Sequence, residues 1–98
     1  DLEPTAIFCC NDLMAMGAVN ACQRMGRRVP QDISVIGYDN TALSQYTAPK
    51  LTTIDQNMGD LGREAARLML KQIEENVTEN VVLTNTVVER ETTGFRVE

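Results

Sequence analysis

The stretch Asp32-Ile33-Ser34-Val35-Ile36-Gly37-Tyr38-Asp39-Asn40 decides the fold. Residues 33–36 form a short apolar run rich in β-branched side chains, bounded by Pro30 and Gly37. Such a run fits a strand covered on both faces, as strands of parallel sheets are. The chain then turns polar at once, which sets Asp39 and Asn40 just beyond the strand's carboxyl end. In an open parallel sheet, ligands bind along that rim. A carboxylate there accepts hydrogen bonds from the hydroxyls or ring nitrogens of a small polar ligand. Asp and Asn equally suit a plain turn, because their side chains bond their own backbone. Local sequence leaves both readings open.

Upstream, Thr5-Ala6-Ile7-Phe8-Cys9-Cys10 is a second apolar run of strand length. Asn11-Asp12 follows, and either side chain suits a helix start, where its oxygen accepts a free amide of the first turn. From Leu13 the spacing becomes helical: Met14, Ala18, Ala21, Cys22 and Met25 form one stripe, widened by Leu13, Met16 and Val19. That breadth predicts a helix touching two surfaces. Gly26 suits the left-handed position that ends a helix, and Pro30 blocks its continuation. Strand, helix, strand with a single crossover predicts a parallel, right-handed unit. Asn11 and Asp39 then share one rim of the sheet.

Downstream, residues 41–50 read as a loop with one helical turn around residues 43–46. Leu43 and Tyr46 are apolar for a loop and either tuck onto the core or meet a partner chain. Leu51-Thr52-Thr53-Ile54 is a third short strand. Asp55-Gln56-Asn57 breaks the pattern, with Asn57 a cap for a second helix and Asp60 near its positive end. Met58, Leu61, Ala65, Leu68, Met69 and Ile73 form its apolar stripe; Arg63, Glu64, Arg67 and Lys71 form its solvated face. Gly59 and Gly62 suit close packing. After a polar loop, residues 81–83 and 86–88 read as extended, and Thr92-Thr93-Gly94 introduces a frayed tail.

Composition bounds the function. The 98 residues make one domain at most, or part of one, and the absence of an initiator Met suggests a fragment. A net charge of −5, with only Arg24, Arg27 and Arg28 clustered, argues against gripping nucleic-acid phosphates. No stretch approaches the ~20 apolar residues of a membrane span. The three cysteines, an odd number with no His anywhere, suit free thiols in a reducing, cytoplasmic compartment and give no zinc site. No nucleophile–base pair and no glycine-rich phosphate cradle is present, so neither catalysis, a metal nor a cofactor is expected.

Several segments together carry a resemblance. The run Ala6-Ile7-Phe8-Cys9-Cys10-Asn11-Asp12-Leu13-Met14-Ala15-Met16-Gly17-Ala18 resembles the NDxMAxGA segment of LacI/GalR-type bacterial transcription regulators. Val29 to Asn40 is similar to their VPxDxSVIGYDN, and Pro49-Lys50-Leu51-Thr52-Thr53-Ile54-Asp55-Gln56 to their PxLTTIxQ, with Lys50 a departure from the usual small residue or Pro. Gly62-Arg63-Glu64-Ala65-Ala66 resembles LGxxA, and Val88-Glu89-Arg90-Glu91-Thr92 the closing LxxRxS/T.

The resemblance implies an α/β, three-layer, mainly parallel sheet of the periplasmic-binding-protein-like type I fold, here an incomplete C-terminal lobe. Residues 1–54 would belong to that lobe, 55–58 to a crossing, 59–76 to a helix of the other lobe and 80–98 to a return strand. It implies effector contacts from Asn11, Asp39, Gln56 and Met58, and a homodimer interface from Met16, Leu43 and Tyr46. The effector would be a small sugar or a purine-like base, and operator DNA would be read by an N-terminal domain outside this segment. A transport sugar-binding protein of the same fold is the alternative. A phosphoryl-accepting α/β domain, using Asp12 and Asp39 with Thr53, is more remote.

Overall fold

Strands β1 (Ala6–Phe8) and β2 (Ser34–Ile36) pair in parallel with Ile7 opposite Val35 in the computed structural model, which describes residues 2–96. Helix α1 (Asp12–Arg24) makes the crossover between them, as a parallel connection requires. Asn11 caps it, its side-chain oxygen accepting from the Met14 amide at 2.8 Å. At the other end Gly26 takes φ of 76°, and the Arg27 amide reaches back to the Cys22 carbonyl at 2.8 Å. A side chain at position 26 would strain that left-handed turn.

The core gathers Cys9, Ala15, Val19, Val29, Ile33, Val35 and Leu51. The face of α1 that meets it runs through Asp12, Ala15 and Val19. The stripe expected from spacing is thus displaced: Met14 and Met25 are 58 % and 78 % exposed. Where nearly every position is apolar, periodicity cannot say which line of a helix meets the sheet.

A third strand, β3 (Thr53–Asp55), starts two residues later than the apolar run suggests. Leu51 spends its apolar side chain on the core, while Thr52 forms a single parallel bridge to Ile36. Strand β4 (Thr86–Val88) pairs antiparallel with β3, Val88 opposite Thr53. Two strand pairs are thereby joined through one bridge. Residues 81–83, expected to be extended strand, form no ladder; Val81 and Leu83 line a groove along the second helix with Leu61 and Leu68.

The tail departs from the frayed expectation up to Gly94. Thr92 is fully buried: its carbonyl accepts from the Val35 amide at 2.9 Å, and its hydroxyl donates to the Val35 carbonyl at 2.7 Å. The Thr52 amide donates to the same hydroxyl at 2.9 Å. Residues 97–98 of that expected tail lie outside the described residues.

Helix α2 (Met58–Glu75) has no buried residue along its 18 positions. Asn57 precedes it with φ of 58° and makes no capping bond; its side-chain amide donates to the Asp60 carboxylate instead. Gly62 faces open space and Gly59 meets only the tip of Arg63, so the close packing expected of them is not formed within the described residues. The radius of gyration is 17.8 Å. A compact domain of this size has about 13 Å. No helix among the described residues is long and apolar enough to cross a membrane.

Candidate functional site

Three backbone bonds stitch the carboxyl ends of the strands together. The Cys9 amide donates to Ile36 at 2.9 Å, the Asp12 amide to Tyr38 at 3.0 Å, and the Asp39 amide to Ile54 at 2.9 Å. Asn11, Asp39 and Gln56 therefore stand beyond the ends of β1, β2 and β3 on one rim, all half-buried. Gln56 and Asp39 touch: the Gln56 side-chain amide donates to one carboxylate oxygen of Asp39. Met58 follows two residues later, 60 % exposed at the start of α2.

Each polar group on the rim retains a defined capacity. The Asn11 oxygen is committed to capping α1, so its side-chain NH2 is the part available to a ligand. The second carboxylate oxygen of Asp39 accepts nothing else among the described residues. A hydroxyl both donates and accepts, so one hydroxyl suits both groups: it donates to Asp39 and accepts from Asn11.

The Asp39 turn is unusual backbone. Asp39 and Asn40 have φ of 115° and 54°, both in a range that non-glycine residues rarely occupy. Surrounding bonds must enforce such conformations. Three successive amides do so. Asp39 donates to Ile54 as above, Asn40 to the Thr53 hydroxyl at 3.2 Å, and Thr41 to the Asp12 carboxylate at 2.7 Å.

Asp12 opens α1, as expected of a helix-start residue, with Asn11 as the cap; its carboxylate, however, turns away from any phosphoryl site. It is 1 % exposed, and its carboxylate accepts the Thr41 amide, the Thr41 hydroxyl at 3.0 Å and the Thr53 hydroxyl. Asp12 and Thr53 are spent on each other, so the phosphoryl-accepting reading has no free pair to act with. Gly37 leaves the space Asp12 needs: a Cβ there would overlap its carboxylate and crowd Leu51 and Ala15. No group of His, Cys, Asp and Glu suited to hold a metal occurs among the described residues.

The residues assigned to a dimer interface lie elsewhere. Leu43 and Tyr46 are 63 % and 77 % exposed, so they do not tuck onto the core. Met16 is half-buried and lines a cleft of about 200 Å³ with Val19, Gln23, Thr47, Pro49 and Leu51. All three thiols are free; burial pushes that of Cys9 up, while Cys10 is exposed.

Sequence reasoning missed Asp12 and Thr53 as anchors of the Asp39 turn, and it missed Arg90. The available signal for Arg90 was a basic residue just past an apolar extended run, an odd place for a merely solvated charge.

Residues 1–93 match the family described as periplasmic binding protein-like domain. The chain belongs to that family. The HTH-type transcriptional repressor PurR of Pasteurella multocida (strain Pm70) is 49 % identical over 83 residues, which are 85 % of this chain and 25 % of that protein. The chain thus spans about a quarter of the length of such curated relatives. A dimeric Lac repressor with an 11-residue C-terminal deletion superposes with a TM-score of 0.88 at 40 % identity, over 97 % of this chain and 35 % of that one. A complex of the transcriptional regulator CelR with cellobiose superposes at 0.84 and 36 % identity, over 92 % and 28 %. The α/β fold with parallel strands is the one expected, and it matches the fold of these Lac repressor and CelR structures.

Proposed function

We propose that this chain senses a small polar effector for a cytoplasmic LacI-type transcriptional repressor, with Asn11, Asp39, Gln56 and Met58 lining its side of an interlobe cleft. The observation that carries this reading is the convergence of Asn11, Asp39 and Gln56 beyond three strand ends, with donor and acceptor capacity left over. A sugar hydroxyl or the ring edge of a purine-like base matches that pair. The cellobiose bound in the CelR complex supports the sugar class. Residues 1–54 form the C-terminal lobe, 55–58 cross, 59–76 pack on the other lobe and 80–98 return.

Effector binding favours one orientation of the lobes, and a homodimer through Met16, Leu43 and Tyr46 passes it to DNA-reading heads outside this chain. The exposure of Leu43 and Tyr46 supports their part in the interface. The test is Asp39→Asn in the full-length protein, with operator binding followed by fluorescence anisotropy during titration with cellobiose, ribose or a purine base. The expected result is loss of the effector response with operator affinity kept. An unchanged response removes Asp39 from the site. For the interface, Tyr46→Asp should turn dimers into monomers in sedimentation velocity.

A further inference from the structure

We infer that Arg90 is a positioning residue for the effector site, holding the Asp39–Asn40 turn and through it the Asp39 carboxylate. This rests on the effector role proposed for Asp39.

The guanidinium is half-buried and makes three bonds, none to a carboxylate. One terminal nitrogen donates to the Ser44 hydroxyl at 2.8 Å and the Leu51 carbonyl at 2.9 Å. The other donates to the Asn40 side-chain oxygen at 2.7 Å. Asn40 is fixed at its other end too, its NH2 donating to Asp55 at 3.2 Å. Only one orientation of that amide satisfies both neighbours, because the guanidinium can only donate and the carboxylate can only accept. Ser44, fully buried, sends its proton to the Thr41 carbonyl at 2.6 Å and keeps its lone pairs for Arg90.

Arg90 is itself held before it reaches the turn. Its amide donates to the Thr52 hydroxyl at 2.9 Å, and the next amide, Glu91, donates to the Lys50 carbonyl at 2.8 Å. A planar fork on a fixed backbone spans three acceptors on residues 40, 44 and 51. Charge neutralisation cannot be its purpose, since no ion pair to Arg90 forms among the described residues. What it reaches is the side chain next to Asp39, in a turn whose two positive φ angles need outside support. A lysine, a point charge on a flexible stem, cannot reproduce the fork.

The experiment uses the full-length regulator and reads backbone hydrogen exchange at residues 39–41. In Arg90→Gln these amides should exchange roughly tenfold faster or more, as expected when a charged hydrogen-bond donor is removed. Those of Ala15 and Val19 in α1 should stay protected. Arg90→Lys should restore little, whereas free guanidinium ion added to Arg90→Ala should restore protection. Unchanged exchange at 39–41 overturns the inference, and so does loosening spread evenly over the lobe. If Arg90→Gln does not fold, Asn40→Gly keeps the test: glycine accepts φ of 54° freely and removes only the gripped side chain. The turn should loosen in the same way; a protected turn overturns the inference.

Affinity supplies the second arm, with cellobiose, ribose and a purine base as probes. For a probe that binds the wild type, Arg90→Gln should weaken binding about tenfold or more, yet add nothing in an Asp39→Asn background. Losses that multiply overturn the inference. Should none of the probes bind the wild type, the effector reading is what fails, while the exchange result still decides the role of Arg90.

Discussion

The first half of the chain and α2 solve the burial problem in opposite ways. Residues from Cys9 to Leu51 supply the whole core, and Ala15 and Val35 are completely covered. Helix α2 is the longest element and buries nothing, with Met58, Met69, Leu70 and Ile73 all more than half exposed. Its near contacts are surface ion pairs such as Lys71–Glu79 at 2.9 Å, which hold little by themselves. The difference teaches that one amphipathic helix is shaped against its own sheet, while the other leaves its stripe for the packing on the other lobe proposed above. An apolar stripe of that extent suits an interaction surface.

Substitutions break this comparison most sharply when made in both contexts. Leu51→Ala should cost about 2–5 kcal/mol by urea unfolding, in the 98-residue chain and in the full-length protein alike. Ile73→Ala should change the short chain by no more than about 0.5 kcal/mol but cost several times that in the full-length protein. Equal effects in the two contexts would mean α2 is not covered in the longer protein.

Two smaller effects sharpen the packed half. Gly37→Ala should cost about 1–3 kcal/mol, because the added methyl meets Asp12, Leu51 and Ala15 together. Thr53→Val should cost about 1–3 kcal/mol by leaving the buried Asp12 carboxylate and the Asn40 amide each a partner short. Thermal or urea midpoints check both, and neither should respond to the condition of α2.

The smallest effect is electrostatic. Hydrogen bonds from the Arg28 side chain, and then from its amide, hold the Asp32 carboxyl down at about 2. A carboxyl depressed in the folded state stabilises above its unfolded pKa of about 3.9, and that contribution is lost as pH falls towards 2. Solvent screens the pair, so the change in stability should be slight. The carboxyl chemical shift of Asp32 should nevertheless titrate low, and Arg28→Ala should return its midpoint to the ordinary aspartate range.

How far the molecule could be read in advance follows the range of the forces involved. The β-branched run before Gly37 and the polar break after it announce a strand and a rim, because both are local signals. Gly26 announces the end of α1 for the same reason. The buried line of α1 was not legible, since Met14 and Met25 are as apolar as Ala15 and Val19. Asp12 does start α1, but its second role was not legible, because its partners Thr41 and Thr53 lie 29 and 41 residues away. Thr92 looked like a fraying tail because nothing near it in sequence hints at Val35, 57 residues earlier. Arg90 was visible as part of a motif, but its grip on Asn40 spans 50 residues.

On the proposed effector reading, Asn11 serves two masters, and that narrows any attempt to retune what the cleft accepts. Its oxygen secures the first turn of α1, which leaves its NH2 as the group a ligand could use. A redesigner who swaps it for a bulkier or purely donating residue to court a new ligand also unties a helix start. On that same reading, the practical alphabet at position 11 therefore shrinks to Asn, Asp, Ser and Thr, and altered taste must be written mainly at Met58, since Gln56 already donates to Asp39.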